Sequence, residues 1–199
     1  MEHIPLVVLW TLLSYALGCF NGAYYLHRYR TGSDIRTAGT GNPGARNAGR
    51  VMGKSAFVAV FLVDAGKGLL AVWGALALGL GVRAALFAAV AVVMGHILPV
   101  QLGFRGGKGI AAAFGAVLAI DPPLALTGLA VAGLALVVLR RPALAGTLAL
   151  VAAPIMAAIM QRGADIVWGL SAIALLAVFA HRTDFAGLWT DRIKFHSRN

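Results

Sequence analysis

The stretch GTGNPGARNAGR places glycines, amides and arginines between residues 39 and 50 of an otherwise apolar chain. Glycines permit positive φ angles and close backbone approach, and successive N–H groups in such a turn form a concavity that binds anions. Arginines add bidentate contacts to phosphate, and a helical turn starting at Pro43 or Ala45 adds a favourable dipole. A basic loop held near anionic headgroups is the alternative, but it needs neither the amides nor the glycine spacing. We therefore expect a phosphate site with the candidate ligands Thr40, Gly41, Asn42, Gly44, Asn47, Arg36, Arg46 and Arg50.

A second glycine-rich stretch, GFRGGKG, places Lys108 between glycines. It is not a nucleotide-binding P-loop, because no glycine lies six residues before the lysine and Gly109 follows it in place of Ser or Thr. A lysine held by glycines can bring its ammonium and neighbouring N–H groups to a phosphate or a developing oxyanion. The alternative is a loop lysine that only follows the charge bias of membrane proteins. We expect Lys108 and the backbone of Gly106 and Gly107 to belong to a site.

The stretch DAGKG places Asp64 and Lys67 three residues apart within an apolar run, so they share a helix face and can pair. Ionisable residues within a membrane span are rare and usually functional, although a self-contained ion pair between helices is the alternative. His96 and His181 stand at the ends of two later apolar runs, where a lone histidine is more often structural than catalytic.

The composition places these residues in an integral membrane protein. The 199 residues are 60% hydrophobic and only 12% charged, about half the usual charged fraction of a soluble domain. Apolar runs long enough for helices recur along the chain, and they lack the alternation of barrel strands, so they predict a single all-α domain over residues 1–199. The runs cover residues 4–26, 56–80, 84–102, 110–120, 122–139, 143–160 and 165–181.

The charged residues between the runs predict the topology. If the short run 110–120 crosses, fourteen of the seventeen Lys and Arg residues fall on one side and two on the other. The positive-inside rule expects such a split, so we predict about seven transmembrane helices, an outer N-terminus and a cytoplasmic C-terminus. The glycine-rich stretches, the 140–142 turn and the tail then face the cytoplasm.

Other classes of protein are disfavoured. The net charge of +10 follows from cytoplasmic loops, and no soluble module exists to bind nucleic acid. Cys19 is the single cysteine, so neither an intrachain disulfide nor a thiolate metal cluster is possible. We expect no metal, cofactor or obligate protein partner.

Three stretches, in order, resemble motifs of the acyl-phosphate-dependent glycerol-3-phosphate acyltransferases of bacteria, the PlsY family. GSDIRTAGTGNPGARNAGR is similar to G-x-D-I-R followed by G-S-G-N-x-G-A-T-N-x-x-R. DAGKG is similar to D-x-x-K-G, and GHILPVQLGFRGGKGIA to G-H-x-F-P-x-x-x-x-F-x-G-G-K-G-V-A. The resemblance covers roughly residues 6–185. It implies a seven-helix enzyme that transfers an acyl chain from acyl phosphate to the 1-hydroxyl of glycerol 3-phosphate, giving lysophosphatidate and phosphate without a covalent intermediate.

Together with the resemblance, these residues lead to a hypothesis that gives a role to fourteen of them. Lys108, Arg50, His181 and Asp184 form the catalytic group, in which Lys108 and the Gly106–Gly107 backbone stabilise the oxyanion and the last two orient the attacking hydroxyl. The acyl phosphate is held by Thr40, Gly41, Asn42, Gly44, Asn47, Gly106 and Gly107. The glycerol phosphate is held by Lys67, His96 and Arg36, with help from Arg50.

Several positions depart from the family pattern. Arg46 replaces a threonine, Asp184 replaces an asparagine, and ALAG over 143–146 replaces S-L-x-S. A related acyltransferase with another donor or acceptor is therefore an open alternative. A membrane carrier or binding protein for anionic phosphorylated metabolites is another, although the sequence shows no inverted repeat and its motif charges lie at one face.

Overall fold

A computed structural model describes residues 3–182, and its regular structure is entirely helical. The predicted all-α class is therefore confirmed. Six helices begin and end within three residues of the predicted runs, apart from the end of the third run, because an apolar chain in lipid must pair its backbone internally. The helices are α1 Ile4–Cys19, α2 Gly22–Thr31, α3 Ala45–Met52, α4 Lys54–Ala77, α5 Gly81–Ile97, α6 Ile110–Ile120, α7 Pro122–Leu139, α8 Pro142–Ile159 and α9 Ala164–Ala180.

Five stretches of the described chain are long and apolar enough to cross a membrane, and two shorter apolar helices accompany them. The five are Ile4–Thr31, Lys54–Ala77, Gly81–Leu102, Pro122–Leu139 and Pro142–Ile159. The shorter helices are Ile110–Ile120 and Ala164–Ala180, which correspond to the fourth and seventh predicted runs.

The sequence predicts one continuous helix for the first run, over residues 4–26. In the structure this run is broken between α1 and α2. Phe20 is extended, and the side chain of Asn21 caps α2 by accepting a hydrogen bond from the N–H of Tyr24. The break exposes carbonyl groups at the end of α1 that a continuous helix would have paired. It therefore creates acceptors inside the bundle, which the buried charges described below use.

Glycines allow two helix pairs to pack at backbone contact. On the α4–α6 contact, a Cβ at Gly68 would overlap the carbonyl of Ala112, and one at Gly115 would overlap that of Ala65. The α1–α5 contact is built the same way at Gly18. Small residues are what bring membrane helices this close, since lipid supplies little hydrophobic drive for association.

The connections gather at two ends of the bundle. At one end, Asp121 at the start of α7 pairs with Arg162, which lies between α8 and α9, at 2.8 Å. At the other end lie the 32–44 and 98–109 loops, the α7–α8 turn and the end of α9, which together surround one cavity. The predicted convergence of the glycine-rich stretches is therefore confirmed.

Candidate active site

A cavity of about 990 Å³ lies where the two glycine-rich loops meet. It is lined by eleven of the fourteen residues that have an assigned role, and these eleven come from four separate parts of the chain. These are Arg36, Thr40, Gly41, Asn42, Gly44, Asn47, His96, Gly106, Gly107, Lys108 and His181. Lys67 and Arg50 do not line it, and Asp184 lies outside the described residues.

The first loop is held in shape by the buried side chain of Asn47. Its Oδ1 accepts a hydrogen bond from the N–H of Thr40 at 2.8 Å, and its Nδ2 donates to the carbonyl of Ala38 at 2.9 Å. Asn47 is only 1% exposed, although it lines the cavity. The amide therefore builds the loop, and this leaves the Thr40 hydroxyl, rather than its N–H, to face a ligand.

The predicted helical turn is confirmed, because α3 begins at Ala45. Gly44 precedes it without a side-chain cap, and within residues 3–182 the N–H groups of Ala45 and Arg46 donate no hydrogen bond. Unpaired N–H groups at a helix start favour an anion. Arg46 is exposed and lines the cavity beside them. This helix start is the strongest feature for phosphate binding in the cavity.

Arg36 joins the first loop to the second. Its guanidinium pairs with Asp34 through Nε at 2.9 Å and Nη2 at 2.7 Å, and its Nη1 donates to the carbonyl of Leu102 at 2.8 Å. It also lies over the Tyr24 ring, 5.5 Å from the centroid. The hydrogen bonds from Arg36 hold the pKa of Asp34 below its usual range, and the pairing raises the pKa of Arg36. The guanidinium is thus committed to protein partners.

A cluster of buried polar groups reaches the cavity wall, which Asp64 and His96 line while Lys67 lies behind them. Lys67 Nζ is 3.1 Å from Asp64 Oδ1 and 2.7 Å from His96 Nδ1. It also donates to the carbonyls of Gly18 at 2.9 Å and Phe20 at 2.7 Å, which the break between α1 and α2 exposes. Lys67 is 3% exposed, so these contacts replace its hydration. The sequence allowed either a ligand or a closed ion pair, and the structure shows the ion pair with two helix-end carbonyls added.

The second loop folds back onto the end of α5. The N–H of Gly106 donates to Ile97 O and that of Gly107 to His96 O, each at 3.0 Å. These N–H groups satisfy the last turn of α5, so they differ from the predicted arrangement in which they donate to an oxyanion. Lys108 is half-buried and lines the cavity wall.

The remaining predicted residues occupy distinct positions. His181 is fully buried, and its Nδ1 donates to the carbonyl of Ala177 at 2.9 Å, which fixes the ring at the end of α9. Arg50 is exposed on the last turn of α3, away from the cavity wall. Among residues 3–182, no three His, Cys, Asp or Glu side chains lie close enough together to hold a metal ion.

The cavity also has an apolar wall, which the sequence interpretation did not identify. Phe57 and Phe61 of α4 line it on the same helix face as Asp64. The signal was present, since positions 57, 61 and 64 share one side of a helix. The wall continues through Ile110, Leu136 and Phe179. The cavity therefore joins a cationic, glycine-built region to an apolar one.

Comparison with known proteins agrees with this combination. The sequence profile of the family described as glycerol-3-phosphate acyltransferase matches residues 8–191. Glycerol-3-phosphate acyltransferase 1 of Desulfitobacterium hafniense is 40% identical over 85% of this chain and 84% of its own length. The enzyme of Pseudomonas paraeruginosa is 38% identical over 94% of this chain and 98% of its own length.

Solved structures give the same result. The crystal structure of PlsY (YgiH), an integral membrane glycerol 3-phosphate acyltransferase in its glycerol 3-phosphate form, superposes with a TM-score of 0.87. The two chains are 30% identical, over 94% of this chain and 93% of that one. The lysophosphatidic acid form superposes with a TM-score of 0.83. The resemblance seen in the three motifs is thereby confirmed, and this chain belongs to the glycerol-3-phosphate acyltransferase family.

Proposed function

We propose that this chain transfers a fatty acyl group from acyl phosphate to the 1-hydroxyl of glycerol 3-phosphate, giving lysophosphatidate and inorganic phosphate. The observation that carries this proposal is the cavity, which joins an anion-binding helix start and Lys108 to an apolar wall inside a membrane protein. An acyl phosphate has this same division between a phosphate and an alkyl chain. Family membership favours this activity over the alternative of a metabolite carrier.

The donor phosphate is assigned to the first loop. The N–H groups at the start of α3 are oriented by a loop whose shape Asn47 fixes, so the phosphate meets preformed donors. The Thr40 hydroxyl, the Asn42 amide and the backbone at Gly41 and Gly44 complete this cradle. Lys108 faces the cradle from the second loop and carries the stabilisation of the carbonyl oxyanion.

The acyl chain is assigned to the apolar wall. Phe57 and Phe61 lie along α4 below the polar end of the cavity, and Phe57 is 43% exposed on the outer surface of the helix bundle. A chain lying along this wall could leave the bundle toward lipid without crossing the polar loops. Relative to exposure in water, each methylene kept on this wall is favoured by about 0.8 kcal/mol.

The acceptor is assigned to the region between His96, Lys108 and the end of α9. His96 contacts the glycerol phosphate directly, and Lys67 acts through His96, because its own donors are held by Gly18 and Phe20. Arg36 acts by joining the two loops. Arg50 attracts the anion from outside the cavity wall, and His181 and Asp184 orient the hydroxyl.

The reaction needs no covalent enzyme intermediate. The 1-hydroxyl oxygen attacks the acyl carbonyl carbon, and the bond from that carbon to the phosphate oxygen breaks. The departing phosphate takes the hydroxyl proton, so the atoms and charges balance without a protein base. The protein contributes alignment of two bound substrates and stabilisation of the oxyanion, which are the larger sources of rate enhancement.

The topology proposed is seven crossings of the bacterial inner membrane by a single domain over residues 1–199, with the cavity facing the cytoplasm. Support comes from α6, which starts at the cavity loop and ends at Asp121, where the pair with Arg162 marks the opposite end of the bundle. Its eleven residues span about 16 Å, so the loop that carries Lys108 is recessed into the bundle.

A two-substrate assay in detergent tests the function. Palmitoyl phosphate and glycerol 3-phosphate, supplied together, are expected to give lysophosphatidate and phosphate, and neither substrate alone should release phosphate at that rate. Parallel reactions contain palmitoyl-CoA as donor or another polyol phosphate as acceptor. Faster turnover with one of these would indicate a different donor or acceptor. Uptake of glycerol 3-phosphate into vesicles without acyl transfer would support the carrier alternative and overturn the proposal.

A further inference from the structure

The ring orientation of His96 follows from its contact with Lys67. A lysine ammonium has three N–H donors and no acceptor. Two of these donors reach the carbonyls of Gly18 at 2.9 Å and Phe20 at 2.7 Å, and carbonyls can only accept. The third reaches Nδ1 of His96 at 2.7 Å, so Nδ1 must accept. We therefore assign the neutral ring its proton on Nε2.

Asp64 compensates the charge of Lys67 but does not hydrogen-bond to His96. Its Oδ1 is 3.1 Å from the Lys67 ammonium, where it compensates the positive charge. The same oxygen is 3.5 Å from His96 Nδ1, which is too long for a good hydrogen bond. The three groups are thus an ion pair that donates to an imidazole, and not a carboxylate–histidine dyad that would direct the proton to Nδ1.

The Nε2 atom of His96 faces space that Gly107 keeps open. A Cβ at Gly107 would overlap Nε2, so any other residue there would fill the region in front of that atom. Both residues line the cavity. Within residues 3–182, Nε2 has no hydrogen-bond partner, although the ring is 3% exposed. Although the ring is buried, Nε2 opens to the cavity, where a ligand atom can accept its hydrogen.

We propose that His96 is a neutral hydrogen-bond donor to an oxygen of the phosphorylated substrate through Nε2–H, and that Lys67 is a positioning residue that sets its tautomer. His96 therefore does not remove the hydroxyl proton. The identity of the accepting oxygen rests on the proposed function, but the tautomer does not, since it follows from contacts inside the protein.

Nitrogen NMR of the full chain tests the tautomer without turnover. The protein is labelled with ¹⁵N-histidine in detergent micelles at neutral pH, and the His96 signals are identified by their loss in His96→Gln. A protonated Nε2 and an unprotonated Nδ1 are expected. A proton on Nδ1 would mean that Lys67 is a neutral amine that accepts from the ring, and protons on both nitrogens would mean an imidazolium. Either result overturns the proposal.

Two substitutions test the donor role by geometry. The amide nitrogen of Gln in His96→Gln can occupy the position of Nε2, whereas the shorter Asn in His96→Asn reaches only the Nδ1 position beside Lys67. We expect His96→Asn to lose about 10–10²-fold in kcat/KM for glycerol 3-phosphate, the usual cost of one lost hydrogen bond to a charged group, and His96→Gln to retain most of it. Thermal unfolding of both variants corrects for stability. Equal kcat/KM in the two variants, or a higher value in His96→Asn, overturns the donor role, and near-complete loss in folded His96→Gln does the same.

Discussion

Two lysines in this chain occur in the same tripeptide, Gly-Lys-Gly, but in opposite environments. Lys67 is buried at 3% exposure, with two carbonyls, a carboxylate and an imidazole around its ammonium. Lys108 is half-buried on the wall of the cavity. A cation surrounded by protein acceptors positions other groups, whereas one on a cavity wall can meet a ligand. The chemical role follows from the environment and not from the tripeptide.

The neighbouring glycines differ in the same way. Gly68 allows α4 to approach α6 at backbone contact, so it serves helix packing. Gly107 leaves space in front of His96, and Gly109 adopts a left-handed conformation, with φ at 81°, immediately before α6. Gly68 thus builds the bundle beside Lys67, whereas Gly107 and Gly109 shape the cavity around Lys108.

Loss of the buried lysine should reduce stability, besides the turnover that depends on its contact with His96. Lys67→Met removes the cation and leaves Asp64 buried without its partner, which should lower the free energy of unfolding by about 3–5 kcal/mol. Thermal unfolding in a single detergent measures this. The double variant Asp64→Leu/Lys67→Met, which removes both charges, should recover a large part of the loss. A single variant that unfolds at the wild-type temperature would contradict the buried role.

Loss of the lysine on the cavity wall should instead reduce turnover. Lys108→Ala removes the donor assigned to the oxyanion, so turnover should fall on the order of 10²–10³-fold while the unfolding temperature stays near that of the wild type. Lys54→Ala removes an exposed lysine outside the cavity and serves as the matched control for charge. Near-full turnover in Lys108→Ala would show that the oxyanion is stabilised elsewhere.

Loss of the buried Asn47 amide in the first loop should affect both stability and substrate binding, because this side chain builds the phosphate cradle and Asn47 also lines it. Asn47→Asp replaces the Nδ2 donor with an oxygen facing the carbonyl of Ala38, and we expect a stability loss of about 1–3 kcal/mol. The KM for acyl phosphate should rise at the same time. Asn42→Asp is the control for stability alone, since the Asn42 side chain makes no hydrogen bond within residues 3–182. Equal unfolding temperatures in the two variants would argue against a structural role for Asn47.

The helices were predictable because lipid permits few alternatives. The apolar run 110–120 coincides with α6, and the run 122–139 with α7. The break after Phe20 was not predictable, because Lys67 lies 47 residues away from the carbonyl that it stabilises there. Local sequence shows an amide in an apolar stretch, and only tertiary contacts turn it into a helix start.

The residues of the site were more predictable than the contacts that each of them makes. The glycine spacing indicated anion-binding loops, and α3 does begin where the sequence allowed it. The sequence could not show that Arg36 reaches the carbonyl of Leu102, 66 residues away, and so joins two loops. Nor could it show that the N–H groups of Gly106 and Gly107 return to α5. Both sets of hydrogen bonds depend on which carbonyl groups the fold brings close to these donors.

The junction of the two loops should be sensitive to acid. Arg36 holds the pKa of Asp34 below its ordinary value of 3.8. A carboxyl with a depressed pKa stabilises the fold above that ordinary value, and the contribution disappears as the pH falls through the lower, folded-state pKa. Asp34→Asn lacks this contribution at every pH. At pH 6 the wild type should therefore unfold at a higher temperature than Asp34→Asn, and the difference in the free energy of unfolding should be about 1 kcal/mol or less. In acid the two unfolding temperatures should converge. A gap that stays constant down to pH 2 would contradict the ion pair.

Arg46 should give the smallest effect and the sharpest test of specificity. It is an exposed cation at the cavity, in the first turn of α3, where the family pattern has threonine. Because water and salt screen an exposed charge, Arg46→Thr should change binding by about 1 kcal/mol or less, and the change should shrink as salt is added. Screening acts on any anion alike, so glycerol 3-phosphate and other polyol phosphates should be affected equally. If Arg46→Thr instead raises the KM of one acceptor several-fold at high salt and leaves the others unchanged, the side chain makes a directional contact with that acceptor. In that case a cation on the cavity wall selects the substrate as well as attracting it, which is a role that the enclosed Lys67 cannot take.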